Sequence, residues 1–179
     1  MNAARLAIPD VILLEPRVFP DERGAFFESY NARAFAEATG LDVAFVQDNH
    51  SVSRKGVLRG LHHQLPPHAQ GKLVRVIRGA AYDVAVDIRP GSPSFGKWVA
   101  ETLTADNRRQ LWIPAGFAHG FLALEDGTEF LYKTTDFYDK ASERTIRWDD
   151  PALGIDWPLR DVLVSPKDAA APLLADAVG

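Results

Sequence analysis

The run Ala81-Tyr82-Asp83-Val84-Ala85-Val86-Asp87-Ile88-Arg89 passes directly into Pro90-Gly91-Ser92-Pro93. Tyr82, Val84, Val86 and Ile88 share one parity, and Asp83, Ala85, Asp87 and Arg89 share the other. A period of two residues belongs to a β-strand, where successive side chains point to opposite faces. The stretch is therefore expected to be a half-buried strand, stopped by a turn cluster in which proline and glycine set the backbone angles. Outward from it the same period recurs. Leu73–Arg78 reads as a strand closed by Gly79, and further candidates are Val11–Leu14, Val43–Gln47, Trp98–Leu103, Gln110–Ile113, His119–Leu124, Phe130–Thr135 and Thr145–Trp148. Proline, glycine, aspartate and asparagine break the runs at the spacing of a sandwich or barrel. Only Asn31–Thr39 reads as a helix, with Asn31 as N-cap and Gly40 as its stop, and the Ala- and Leu-rich C-terminus offers a second short helical piece. The pattern predicts an all-β fold, a jelly-roll-like barrel of antiparallel strands with a few short helices, in a single domain over 1–179.

Composition narrows the function classes. The 179 residues carry 20 Lys plus Arg against 24 Asp plus Glu, a formal charge of −4. The sequence pI is near 5.7, which argues against a nucleic-acid binder with a basic face. A hydrophobic fraction of 46% with 25% charged residues is that of an ordinary globular chain and excludes disorder, collagen-like repeats and coiled coil. Without cysteine there is no disulfide, no thiolate nucleophile and no thiolate-bound metal. The N-terminus does not read as a signal peptide and no apolar run reaches membrane-spanning length, so a soluble cytoplasmic protein is expected.

Reactive side chains concentrate in three stretches. The first is Arg59-Gly60-Leu61-His62-His63-Gln64, continued by Pro66 to Lys72. Adjacent histidines on a strand face opposite ways, so at most one of His62 and His63 faces a barrel interior. The second is Trp112-Ile113-Pro114-Ala115-Gly116-Phe117-Ala118-His119-Gly120-Phe121, whose PxGxxH core resembles the second cupin motif, delivering His119 into a barrel. Metal-binding cupins place two further histidines as HxH, an arrangement absent here, so no metal is expected. The third is Tyr132 to Tyr138 with Glu143 and Arg144, where a buried tyrosine could serve as an acid and an exposed one could stack on a flat ring. Each feature has an ordinary reading too: a hydrogen-bonded strand histidine, a packed tyrosine, a solvated lysine.

Taken in order, Phe19–Tyr30, Gln47–Gln64, Gln70–Gly79, Tyr82–Trp98, Trp112–Phe121, Tyr132–Pro158 and Ser165–Asp168 resemble the dTDP-4-dehydrorhamnose 3,5-epimerase family, sugar-nucleotide epimerases of cupin fold. The resemblance runs collinearly from about Val11 to Asp168. It implies a cofactor-independent epimerase that inverts carbons 3 and 5 of dTDP-4-dehydro-6-deoxy-D-glucose through the acidity of protons next to its ketone. Carried over by position, His62 looks like the general base, Asp168 its orienting carboxylate, Lys72 the cation at the ketone oxygen and Tyr132 the general acid. Arg23, Glu28, Gln47, Asn49, Arg59, His119, Glu143 and Lys167 match substrate-binding positions, and Tyr138 matches the residue that stacks on thymine. Arg23, Arg59 and Lys167 would meet the diphosphate, which an acidic chain must bind through local cations. The resemblance also implies a homodimer with exchanged strands, the Phe19–Tyr30 segment lying near the partner's site.

The alternatives are a single-carbon epimerase of a related dTDP-4-keto-6-deoxysugar, a non-catalytic sugar-nucleotide-binding cupin, and a metal-dependent cupin. The second need not keep His62, Tyr132 and Asp168 together, and the third would need converging metal ligands. One conflict of spacing stands. Arg59 and His62, three positions apart, fall on opposite faces of an ideal strand, so either a bulge or bend near Gly60 intervenes or Arg59 acts from a strand end. His63 occupies a position where the family usually carries Phe or Tyr, and a packing role is expected of it.

Overall fold

In a computed structural model, which describes residues 1–177, the N-terminal half contributes β1 (Asn2–Arg5), β2 (Ile12–Glu15), β3 (Val18–Asp21), β4 (Gly24–Phe27), α1 (Ala32–Thr39), β5 (Gln47–Ser53), β6 (Leu58–Gln64), β7 (Lys72–Arg78) and β8 (Ala80–Asp87). There follow β9 (Trp98–Thr104), β10 (Gln110–Ile113), β11 (Phe117–Ala123), β12 (Thr128–Thr134), β13 (Glu143–Thr145), α2 (Pro166–Ala169) and α3 (Leu174–Ala177). Two antiparallel sheets form the body. One has the order β1-β2-β10-β7-β12-β5 and the other β13-β6-β11-β8-β9, while β3 and β4 pair only with each other. This is the antiparallel jelly-roll architecture that the strand spacing predicts.

The sheets face each other across Val74 and Val76 of β7, Ala81 and Ala85 of β8, Leu111 and Ile113 of β10, Phe117 and Phe121 of β11 and Phe130 of β12. Phe121 and Phe130 stack with ring centroids 4.0 Å apart. Emptying such a site (Phe130→Ala) typically costs ~3–5 kcal/mol.

The opening strand corrects one expectation. β8 is buried on both faces, not one. Val84 and Val86 pack outward with Leu61, Ala118, Ile146, Leu153 and Leu174, because the chain from Ile146 onward folds back over that side of the sheet. The parity that carries the carboxylates points inward, and Asp83 and Asp87 have no exposed surface at all. A buried carboxylate needs partners. Asp87 has them in Arg89 Nη2 at 2.7 Å and the hydroxyls of Ser92 and Ser94, each at 2.6 Å.

α1 follows its sequence signals. Asn31 Oδ1 accepts from Ala34 N at 3.1 Å, and Gly40 at φ 75° donates its N–H to Ala36 O, closing the helix in a left-handed turn. Phe35 seals the outer face of the six-stranded sheet against Ile12, Leu14, Leu73 and Trp112. The expected strand at Val43–Gln47 is displaced. Val43 and Phe45 turn aside into that cluster, and the strand itself is β5. β5 has no apolar period to announce it: Asp48, His50 and Val52 are exposed, and the opposite parity is Gln47, Asn49, Ser51 and Ser53. Similarly the last strand is Glu143–Thr145, not Thr145–Trp148. Among the described residues no helix is long and apolar enough to cross a membrane.

Candidate active site

A cavity of about 660 Å³ opens between the sheets at the end where β6, β7, β11 and β12 converge, closed on one side by α2. How two residues three apart both reach it is decided by register. On β11, His119 pairs with His62 but Phe121 pairs with Arg59, so three residues of β6 span two of its neighbour. The extra residue is a β-bulge, which reverses the parity between Arg59 and His62 and brings both to the cavity. Gly60 occupies the bulge at φ +136°, a region closed to other residues, and a Cβ there would lie 2.5 Å from Gly120 Cα.

His62 Nε2 lies 2.7 Å from Asp168 Oδ1. α2 holds that carboxylate: Ser165 caps the turn and accepts from Asp168 N at 3.1 Å. Burial alone would push the Asp168 carboxyl up. The hydrogen bond and charge of His62, with help from Ser165 and the Gly60 backbone, outweigh it and hold the group below the usual range. Asp168 is therefore ionised, Nε2 of His62 donates to it, and Nδ1 keeps the lone pair that a base requires.

Lys72, at the start of β7, is buried and donates from Nζ to His62 O at 3.3 Å. Burial pulls its ammonium down to about 8, against the opposing charges of Asp83 and Glu143. Tyr132 lies on β12, in register with Asn49 of β5. Burial raises its phenol, with Arg59 opposing, so the hydroxyl keeps its proton. His119 Nε2 meets Asp83 Oδ2 at 2.8 Å.

The rim is a hydrogen-bonded chain. Tyr138, half exposed, donates its hydroxyl to Glu143 Oε2 at 3.0 Å, and Lys167 Nζ reaches the same oxygen at 2.6 Å. Tyr138 N donates to Gln47 Oε1 at 3.0 Å, and Gln47 Nε2 donates to Asn49 Oδ1 at 2.9 Å.

The structure thus brings His62, Asp168, Lys72, Tyr132, Arg59, His119, Tyr138, Glu143 and Lys167 to one cavity, with Gln47 and Asn49 joined to its rim. Two residues lie elsewhere. Arg23 extends from the β3–β4 hairpin, 87% exposed and paired with Asp21 at 2.6 Å, while Glu28 accepts from Asn31. Neither lines the cavity of its own chain. His63 is buried in register with Arg144, and neither of its ring nitrogens has a partner among the described residues. Sequence reasoning passed over Asp83 and Gln64. Gln64 donates to His68 O and Phe137 O and accepts from Asp139 N, which pins the loop carrying Tyr138. Among the described residues no group of three His, Asp or Glu is placed to hold a metal ion.

The family model for dTDP-4-dehydrorhamnose 3,5-epimerase matches residues 5–176. The chain belongs to the dTDP-4-dehydrorhamnose 3,5-epimerase family. It is 65% identical to the dTDP-4-dehydrorhamnose 3,5-epimerase of Pseudomonas aeruginosa over 99% of this chain and 98% of that protein. A dTDP-6-deoxy-D-glucose-3,5-epimerase from Legionella pneumophila, solved with dTDP-4-keto-L-rhamnose, superposes with a TM-score of 0.94 at 52% identity, over 97% of this chain and 93% of that one. A 3'-monoepimerase from Streptomyces bikiniensis, solved with dTDP-quinovose, superposes at 0.90 with 37% identity, over 98% and 88% of the two chains. The epimerase family match takes in β2 to β13 and α2, and so every element that lines the cavity.

Proposed function

We propose that this chain inverts carbons 3 and 5 of dTDP-4-dehydro-6-deoxy-D-glucose to give dTDP-4-dehydro-L-rhamnose, with no cofactor, in the cytoplasm. The observation that carries the reading is the His62–Asp168 pair at 2.7 Å, set in one cavity with Lys72 and Tyr132. A proton next to a ketone is removed when a base is placed against it and the oxygen that gains charge is stabilised. His62 Nδ1 takes the proton, the C–H electrons pass into the enolate, and Asp168 steadies the resulting imidazolium. Lys72 meets the enolate oxygen as an ammonium in a water-poor site, where such a contact is strongest. Tyr132 gives its proton to the opposite face of the ring carbon. His62 then releases the abstracted proton to solvent while the tyrosinate takes one up from it, which restores both groups for the second carbon. A positioned acid or base contributes ~10²–10⁴-fold, or roughly 3–5 kcal/mol of barrier.

Tyr138 at the rim offers its ring to the thymine, and Arg59 and Lys167 offer charge to the diphosphate. The kinship with the double epimerase of P. aeruginosa, closer than that with the monoepimerase, supports inversion at both carbons. Deuterium incorporation from solvent into the substrate, followed by NMR, tests the reading. Exchange at carbons 3 and 5 that is lost in His62→Ala is expected. Exchange at carbon 3 alone would make the chain a single-carbon epimerase, and none would refute the assignment.

The reading extends to a homodimer in which the β3–β4 arm serves the partner's cavity. The arm leaves Phe19 and Phe26 exposed at 47% and 68%, and Arg23 is exposed outside the lining of its own cavity. Exposed aromatics on a projecting hairpin suit a second subunit. Light scattering should give twice the chain mass. Mixing inactive Arg23→Ala and His62→Ala proteins should restore activity, because a mixed dimer holds one intact site; no recovery would place Arg23 in its own chain's site.

A further inference from the structure

Tyr138 stands at the rim of the cavity on a stretch of chain that no sheet holds. It follows β12 and precedes β13, and among the described residues no main-chain hydrogen bond reaches Asp136, Phe137 or Tyr138. Phe137 and Tyr138 are 62% and 54% exposed. A segment so exposed, with no ladder to tie it, ordinarily moves. Here side chains take the place of the ladder. Asp136 O accepts from Gln70 Nε2 at 2.8 Å, and Tyr138 N donates to Gln47 Oε1 at 3.0 Å. Gln64 adds three bonds: Nε2 donates to Phe137 O at 3.1 Å and to His68 O at 2.7 Å, while Oε1 accepts from Asp139 N at 2.9 Å.

The side chain of Gln64 is buried, and both of its N–H groups are spent on loop carbonyls, so it donates nothing to a ligand. The same bonds fix the amide's orientation, because the reverse one would set its oxygen against two carbonyls. Gln64 also lies on β6 two residues beyond His62, so one strand carries both the general base and the tie to Tyr138. A ligand with a nucleobase at one end and a reacting sugar at the other must meet the Tyr138 ring and His62 together. Any ordering of the loop left until binding is subtracted from its affinity. We propose that Gln64 is a positioning residue: its amide ties Phe137 and Asp139 to β6 and so holds the Tyr138 ring in place relative to His62 before a nucleotide arrives. The proposal rests on the stacking of a base on Tyr138 for its effect on affinity, though not for its effect on the loop.

Gln64→Met keeps the length of the side chain and removes its hydrogen bonds. The loss is bounded by what the stacked ring is worth, so dTDP affinity by calorimetry should fall ~3- to 30-fold, and by less than in Tyr138→Ala. Inorganic pyrophosphate has no base to stack and should bind within about twofold of wild type. KM should rise in parallel with the loss of dTDP affinity, with kcat lowered less than about threefold. A merely structural role would weaken both ligands and lower kcat alike, and that outcome overturns the proposal. Additivity overturns it too. In the Tyr138→Ala background Gln64→Met should cost dTDP less than about twofold more, because no ring is left to position.

The wild type offers a test that needs no variant to fold. Amide relaxation by NMR should find Phe137, Tyr138 and Asp139 as ordered as β12 in the free protein, with no gain when dTDP binds. A segment that is mobile until dTDP binds refutes the pre-set ring. If Tyr138→Ala leaves dTDP affinity unchanged, the stacking reading fails instead. Gln64 then keeps its role on the loop only if the segment loosens in Gln64→Met.

Discussion

His63 couples a buried, unpartnered imidazole to the acid stability of the fold. Desolvation, followed by the charges of Lys72, Arg144 and His62, pulls it down from 6.5 to about 4. In the unfolded chain the ring titrates normally, so between those two pH values the unfolded state binds a proton that the folded state refuses. Stability then rises with pH across the window and is lost on acidification through it. The difference of about 2.5 pH units, at ~1.4 kcal/mol each, amounts to ~3 kcal/mol by pH 4. His63→Phe abolishes this term. At pH 7.5 the variant also removes two orphaned polar atoms, a gain of ~1 kcal/mol before any strain from the larger ring. Urea unfolding of both proteins at pH 7.5, 6, 5 and 4.5 would measure the effect. Carboxylates and His119 titrate in both and cancel in the difference. The stability gap should widen by ~2–3 kcal/mol from pH 7.5 to 4.5 in favour of Phe. A gap constant to within ~0.5 kcal/mol would show that His63 finds hydrogen-bond partners or water, and would refute the reasoning.

Gly60→Ala should be costly in stability and activity together. A Cβ there meets Gly120 Cα at 2.5 Å and His119 O at 2.9 Å in a backbone region closed to alanine, for a loss of ~2–4 kcal/mol in denaturant unfolding and a fall in kcat as the bulge shifts His62. Asp168→Asn leaves the His62 ring without the charge that stabilises its protonated form. A fall in kcat of ~10²–10⁴ is expected, with dTDP affinity by calorimetry changed less than about twofold. Tyr138→Ala removes the rim ring; a stacked base is worth ~1–3 kcal/mol, so KM should rise about 5- to 100-fold at nearly constant kcat.

The body of the barrel was legible in the sequence because its strands carry their own punctuation. β7, β9, β10 and β12 fall within a residue or two of the runs read from parity, and α1 begins and ends at the asparagine and glycine that cap it. What failed was local information about non-local neighbours. β5 pairs with β12 through a strand that is polar on both parities, so no alternation marked it, and Val43 and Phe45 misled because their apolar side chains serve the cluster around Phe35. The resemblance picks out residues most of which the structure gathers at one cavity, while spacing alone leaves open between two geometries the route by which Arg59 and His62 share it. The register of β6 against β11 chose the bulge.

The same limit explains why Asp83 escaped notice. Alternation establishes that a strand has two unlike faces, and it is silent on which of them meets water. In most antiparallel sheets the polar face is the solvent face. Here the chain from Ile146 to Ala177 covers the apolar face of β8, and the polar parity is left to line the space between the sheets. An enzyme that works on a sugar-nucleotide inside a barrel needs this inversion, because its reactive groups must stand where water is scarce and their charges act at full strength. The apolar contacts that keep the sheet folded are then displaced to its back. The C-terminal segment accordingly serves twice: its apolar residues hold the outer face of β8 and β11, and α2, which it carries, delivers Asp168 to His62. Loosening that cover, for instance by Leu153→Ala, should therefore cost kcat as well as stability, and kcat measured against temperature should fall in step with thermal unfolding followed by circular dichroism.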